Sequence, residues 1–218
     1  MVKADRIIFA TGNAGKVREI KDIVGHMGIE VLTMREAGVE AEPEENGSSF
    51  EENALIKAGS VAALVRKAEE EGRMDGPDQG TLNIVMSDDS GLVVDALDGA
   101  PGIYSARFQG RDTDYNIKMN YIMDQIRDVP WEGRTARFTA AVAAVLPDGR
   151  AFTVLGHMEG YIGYEIAGEN GFGYDPFFYL PRYHKTSAEI SPEEKNAISH
   201  RGRALRAMVA RLQEEGVL

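Results

Sequence analysis

With Lys+Arg 24 against Asp+Glu 35, the 218-residue chain has a formal net charge of -11 at pH 7, which disfavours nucleic-acid polymers, whose backbones need a basic face. A composition of 43% hydrophobic and 27% charged residues excludes wholesale disorder, and zero cysteines exclude disulfides, thiol catalysis and thiolate metal sites. No apolar run approaches the roughly 20 residues that cross a bilayer, and the N-terminus carries no leader pattern, so the expectation is a cytoplasmic protein with no membrane partner.

Arg6 to Ala10 is a short apolar strand leading into Thr11-Gly12-Asn13-Ala14-Gly15-Lys16, and Val17, Ile20, Ile23, Val24 and Met27 follow at helical spacing. Glu30 to Thr33 reads as a second strand. Ser49 and Glu52 have capping-box spacing, and Ala54, Leu55, Ala58, Val61, Ala62 and Val65 continue a long amphipathic helix that stops at Glu71-Gly72. Arg73 to Thr81 is a loop. Asn83 to Met86 is expected as a third strand ending at Ser87-Asp88-Asp89-Ser90-Gly91, with extended structure resuming over Leu92 to Val94.

Gly99-Ala100-Pro101-Gly102 forces a turn, and Thr113 to Arg127 is expected as a helix whose apolar face is Ile117, Tyr121, Ile122 and Ile126. Arg137 to Leu146 and Ala151 to Met158 form a hairpin around Pro147-Asp148-Gly149. Gly160 to Gly173 is glycine-rich. Ser191-Pro192-Glu193-Glu194 places an N-cap, Pro at the first helical position and Glu at the third, and Leu205, Met208, Val209 and Leu212 line the last helix. No repeat or low-complexity linker interrupts this series, which predicts one α/β domain over residues 1–218, folded as two lobes.

Five segments carry candidate chemistry. The turn Thr11 to Lys16 sits between a strand and a helix start, where outward N–H groups and Lys16 favour an anion, although the Walker spacing is absent. Adjacent Asp88 and Asp89 at a buried strand end need a cation or donors, and hard oxygen ligands there suit Mg²⁺. Glu44 and Glu45 form a second acidic group, readable as a solvated loop or as a further metal carboxylate. Gly171-Phe172-Gly173-Tyr174-Asp175-Pro176 frames a ring and a carboxylate: either a structural turn, or a platform on which a planar base stacks over Phe172. Lys195, His200 and Arg201 concentrate positive charge and donors, while Lys57 and Arg107, taken singly, read as solvated.

Together, ATGNAGKVREI from Ala10, SFEENALIKA from Ser49, SDDSGLVVDALDGAPGIYSARF from Ser87, GFGYDPFF from Gly171 and EKNAISHRG from Glu194 resemble the Ham1/inosine triphosphate pyrophosphatase family. The resemblance spans nearly the whole chain. It implies a long mixed central sheet flanked by helices, in two lobes with an active-site cleft between them. It also implies Mg²⁺-dependent hydrolysis of the purine nucleoside triphosphates ITP, dITP and XTP to monophosphate and pyrophosphate, by a homodimer. By the same resemblance, Thr11, Gly12, Asn13, Ala14, Gly15 and Lys16 cradle the triphosphate, and Asp89 is general base and metal ligand. Ser90 contacts substrate; Phe172, Gly173, Tyr174 and Asp175 form the base pocket; Lys195, His200 and Arg201 grip the substrate. Glu44 or Glu45 supplies a second metal carboxylate. Selectivity for a 6-oxo purine requires donors aimed at that oxygen, because adenine would leave them unpaired, and Arg201 or an amide of the Phe172–Asp175 loop is the candidate.

Overall fold

The computed structural model describes residues 4–12 and 14–218. Seven strands form one mixed sheet in the order β2-β1-β3-β4-β5-β6-β7. They are β1 (Arg6–Phe9), β2 (Glu30–Thr33), β3 (Asn83–Val94), β4 (Thr135–Val145), β5 (Ala151–Ile162), β6 (Phe178–Leu180) and β7 (Lys185–Thr186). The helices are α1 (Ala14–Val24), α2 (Phe50–Glu70), α3 (Tyr115–Gln125), α4 (Pro192–Ile198) and α5 (His200–Glu214). Two compact units divide the chain: Met1–Asp89, Ala140–Gly156 and Arg201–Leu218 form one, and Ser90–Thr139 and His157–His200 the other.

In the first unit β1 pairs in parallel with β2 and β3, with Phe9 level with Thr33 and Met86. Side chains alternate across a strand, and the apolar sequence is written to serve both faces. Ile7, Phe9, Ile84, Met86, Ala140 and Val142 pack with Ile20 and Val24 of α1 and Leu205, Met208 and Leu212 of α5. Ile8, Ala10 and Val85 pack with Val61 and Val65 of α2, and Ala141 and Ala143 meet Ala54 and Ala58 of the same helix. Alanines on both sides let α2 approach the strand closely. Ser49 caps α2 by accepting the Glu52 N–H at 3.1 Å, but the Glu52 carboxylate turns to the amide and hydroxyl of Ser48 instead of completing the box.

β3 is uninterrupted through the Asp-Asp segment, in place of the break expected after Met86. The strand persists because its polar side chains have partners: Ser87 Oγ donates to Ala54 O at 2.6 Å, and both aspartates are met by donors described below. Burial without such partners would cost several kcal/mol.

The second unit packs Leu92, Val94, Met119, Ile122, Ile126, Phe138, Met158, Phe177 and Phe178 into one core. Helix α3 matches the expected face only in part: Ile122 and Ile126 are buried as expected and Lys118 and Met119 join them, whereas Ile117 and Tyr121 are 59% and 42% exposed. Met119, Ile122 and Ile126 join the core of the unit, and Lys118 on the same side donates its ammonium to the Ala106 carbonyl. Arg134 is also buried, and its guanidinium donates to the carbonyls of Ile126, Ile162 and Gly163 at 2.8–3.0 Å, with its face over Tyr164. The Ser191 capping box and the hairpin closed by Leu146 N–H to Arg150 O form as expected.

Candidate active site

β1 runs directly into Thr11 and Gly12, and α1 begins at Ala14, so the turn stands at a helix N-terminus. Thr11 and Gly12 border a cavity of about 700 Å³ that Lys21, Met34, Arg35 and Val39 also line. Asn13 lies outside the described residues. Lys16, on the first turn of α1, donates from Nζ to Asp88 Oδ1 at 2.9 Å. From the start of α5, Arg201 Nε donates to the other oxygen of Asp88 at 3.0 Å. Arg201 is only 2% exposed.

Alternation along β3 puts Asp88 on the α1/α5 face with Met86, and Asp89 on the α2 face with Ser87. There Asn53 Nδ2 donates to Asp89 Oδ2 at 3.1 Å, and Lys57 Nζ lies 3.4 Å from Asp89 Oδ1. Asn53 and Lys57 are one helical turn apart on α2, so the helix aims both at one carboxylate. The same ammonium is 3.2 Å from Glu45 Oε1. Glu44 is exposed, so of the two acidic loop residues it is Glu45 that joins Asp89.

These neighbours separate two carboxylates that are adjacent in sequence. Burial pushes the Asp88 carboxyl upward, but the charges of Lys16 and Arg201 hold it well below the usual carboxylate range. Asp89 goes the other way: burial, reinforced by Glu45, raises it above its ordinary value against the pull of Lys57 and Asn53. Burial also lowers Lys16, with Asp88 opposing.

The second unit holds the glycine-framed loop. Phe172 is 49% exposed, and Lys195 Nζ lies 5.0 Å from its ring centroid. Asp175 is buried and its carboxylate is engaged: it accepts from Phe172 N–H at 2.8 Å, Ser187 Oγ at 2.7 Å and Lys195 Nζ at 2.5 Å. Gly171 sits at φ +80°, and a Cβ there would collide with Asp175 Oδ2. Tyr174 is buried, donates from its hydroxyl to Ser105 O at 3.0 Å, and has its phenol pushed up by burial. His200 stacks on Phe138 with centroids 5.0 Å apart. Ser90 is half-buried on β3.

Sequence reading did not single out Asn53, and it left Lys57 as a solvated lysine. Their four-residue spacing inside SFEENALIKA, on a helix with a firm N-cap, was the available signal. Among the described residues no cluster of three or more His, Cys, Asp or Glu gathers around a point, and no helix is long and apolar enough to cross a membrane.

An open mixed sheet, with a βα turn after one strand and a divided acidic pair within the next, defines an α/β protein. The Ham1 family model matches residues 7–211, and the chain belongs to that family. The dITP/XTP pyrophosphatase of Exiguobacterium sibiricum is 45% identical over 207 residues, covering 95% of this chain and 96% of that one. The dITP/XTP pyrophosphatase of Bacillus subtilis is 42% identical over 208 residues, covering 95% and 97%. Among solved structures, the Staphylococcus aureus Ham1 protein superposes with a TM-score of 0.81 at 34% identity, covering 96% of this chain and 99% of that one.

Proposed function

We propose that this chain is a nucleoside-triphosphate pyrophosphatase that hydrolyses non-canonical purine nucleotides such as dITP, XTP and ITP to the monophosphate and pyrophosphate. The observation that carries the reading is the division of Asp88 and Asp89 between the two faces of β3, one held between Lys16 and Arg201 and the other beside Asn53, Lys57 and Glu45. The relatives named for dITP and XTP supply the substrate class.

In this reading Asp89 takes a proton from a water molecule, whose oxygen attacks the α-phosphorus as the bond to the β-phosphate breaks and pyrophosphate leaves. Asp88 stays ionised and holds Lys16 and Arg201, whose positive charges offset the polyphosphate. The Thr11–Lys16 turn receives the phosphates through backbone N–H groups at the α1 start. Phe172 offers a stacking face to the base, and Lys195, locked on Asp175, stands beside that ring.

Mg²⁺ fits the donors on the α2 face of β3: Asp89 and Glu45 already converge on one cation, the Lys57 ammonium, and this ion is commonly held by one or two carboxylates with phosphate and water. When bound it supplies charge neutralisation at the polyphosphate. We place the protein in the cytoplasm as a homodimer, on the family resemblance. A panel of ITP, dITP, XTP, dUTP, TTP and ATP, with pyrophosphate detection before and after EDTA and Mg²⁺ return, tests the proposal. Mg²⁺-dependent release confined to the first three is expected, and no release from any of them overturns it.

A further inference from the structure

Tyr115 opens α3, outside every group assigned above. Its ring and that of Tyr174 meet edge to face, with centroids 5.1 Å apart and planes at 86°. A Cβ on Gly173 would lie 3.5 Å from the Tyr115 ring, so the ring faces this side of the loop. Behind it, Lys118 Nζ is 4.7 Å from the Tyr115 centroid, and this fully buried ammonium donates to Ala106 O at 2.8 Å. Tyr174 in turn donates to the neighbouring carbonyl, Ser105 O. The contacts close a circuit: adjacent carbonyls take the Tyr174 hydroxyl and the Lys118 ammonium, and the Tyr115 ring touches both donor side chains. Ser105 is itself fixed, its Oγ accepting from Leu92 N–H at 2.8 Å.

The loop needs such a brace. Gly171 and Gly173 both adopt positive φ, +80° and +67°, so the segment is built from the residue with the widest backbone freedom. A loop that spends only part of its time in the binding-competent shape weakens binding in proportion to that fraction, without touching the chemical step.

We infer that Tyr115 is a positioning residue: backed by Lys118, its ring fixes the Gly173–Tyr174 segment and thereby sets how tightly the purine base is held. The consequence for the base rests on the function proposed above; the bracing of the loop does not. Tyr115 is partly exposed on the first turn of its helix, so substitution leaves the core of the unit intact.

The test pairs Tyr115→Leu with Tyr115→Phe and reads hydrogen exchange over residues 171–175 alongside steady-state kinetics on ITP and ATP. In Tyr115→Leu, exchange accelerates about tenfold or more, KM for ITP rises about tenfold with kcat within about twofold, and KM for ATP rises in the same proportion. Tyr115→Phe, which keeps the ring, returns all three to the parent values. Unchanged exchange in Tyr115→Leu overturns the inference, and so does a fall in kcat with KM unaltered. Should the parent protein fail to turn over ITP, the proposed function falls, and exchange alone decides: acceleration in Tyr115→Leu restored by Tyr115→Phe sustains the bracing role, and no acceleration ends it.

Discussion

Asp88 and Asp89 are joined by a single peptide bond yet belong to different electrostatic environments, because a strand sends consecutive side chains to opposite faces. Asp88 is clamped by Lys16 and Arg201 on the α1/α5 face, and Asp89 by Asn53 and Lys57 on the α2 face. One strand thus delivers an obligate anion and an adjustable carboxylate side by side.

If Asp89 is the base, Asp89→Asn retains nucleotide binding and loses about 10²-fold or more in kcat, the usual cost of removing a positioned base. Calorimetric titration with ITP together with turnover assays checks both halves. An unaltered kcat would take the residue out of that role.

Asp88 is a matter of stability. Removing one partner from a buried charged cluster typically costs about 3–5 kcal/mol, because the remaining charges are left uncompensated. Asp88→Asn is therefore expected to lower Tm by on the order of 10 °C in metal-free buffer. The folded Asp88 value lies below that of the unfolded chain, so its contribution is complete above about pH 4 and disappears as the pH falls below that, through the folded value. Asp88→Asn removes that part of the acid sensitivity, measurable as a shallower decline of Tm from about pH 4 to about pH 2.

The Asp89 carboxyl sits between opposing charges, so two neighbours move it in opposite directions. Glu45→Gln removes a negative charge and lowers it, and Lys57→Met removes a positive one and raises it. Carbon-detected NMR titration of Asp89 in the metal-free protein reads both shifts. Displacement of the two variants to the same side would contradict the assignment of these charges.

Gly171→Ala forces a Cβ against Asp175 Oδ2 from a backbone angle that alanine adopts at a cost. The Asp175–Lys195 pair and the Phe172 amide bond give way together. KM for ITP should rise about tenfold while Asp89-dependent chemistry is spared, an outcome that steady-state kinetics separates from a general loss of activity.

The legible parts of the sequence were those governed by local rules: the Ser191 cap, the Pro147-Asp148-Gly149 hairpin turn and the 3.6-residue rhythm of α5. The misread parts depend on partners distant in the chain. Ser87-Asp88-Asp89-Ser90-Gly91 looks like a strand breaker until Ala54, Lys16 and Arg201 are known to meet it. Ile117 and Tyr121 resemble a buried face together with Ile122 and Ile126, but Met119 and Lys118 take their places against the core. Glu44 and Glu45 are equivalent as letters, and only the position of Lys57 on α2 tells them apart. Lys57 itself has the composition of a surface residue and the location of a central one.

Arg134 reaches Ile126, Ile162 and Gly163 through three main-chain oxygens, without a carboxylate among those partners. A guanidinium keeps its proton throughout the acidity that proteins survive, and its acceptors do not titrate at all. This rivet therefore holds equally in mild acid and mild base. A lysine in its place, with one nitrogen instead of three, would be unable to grasp three separated oxygens at once.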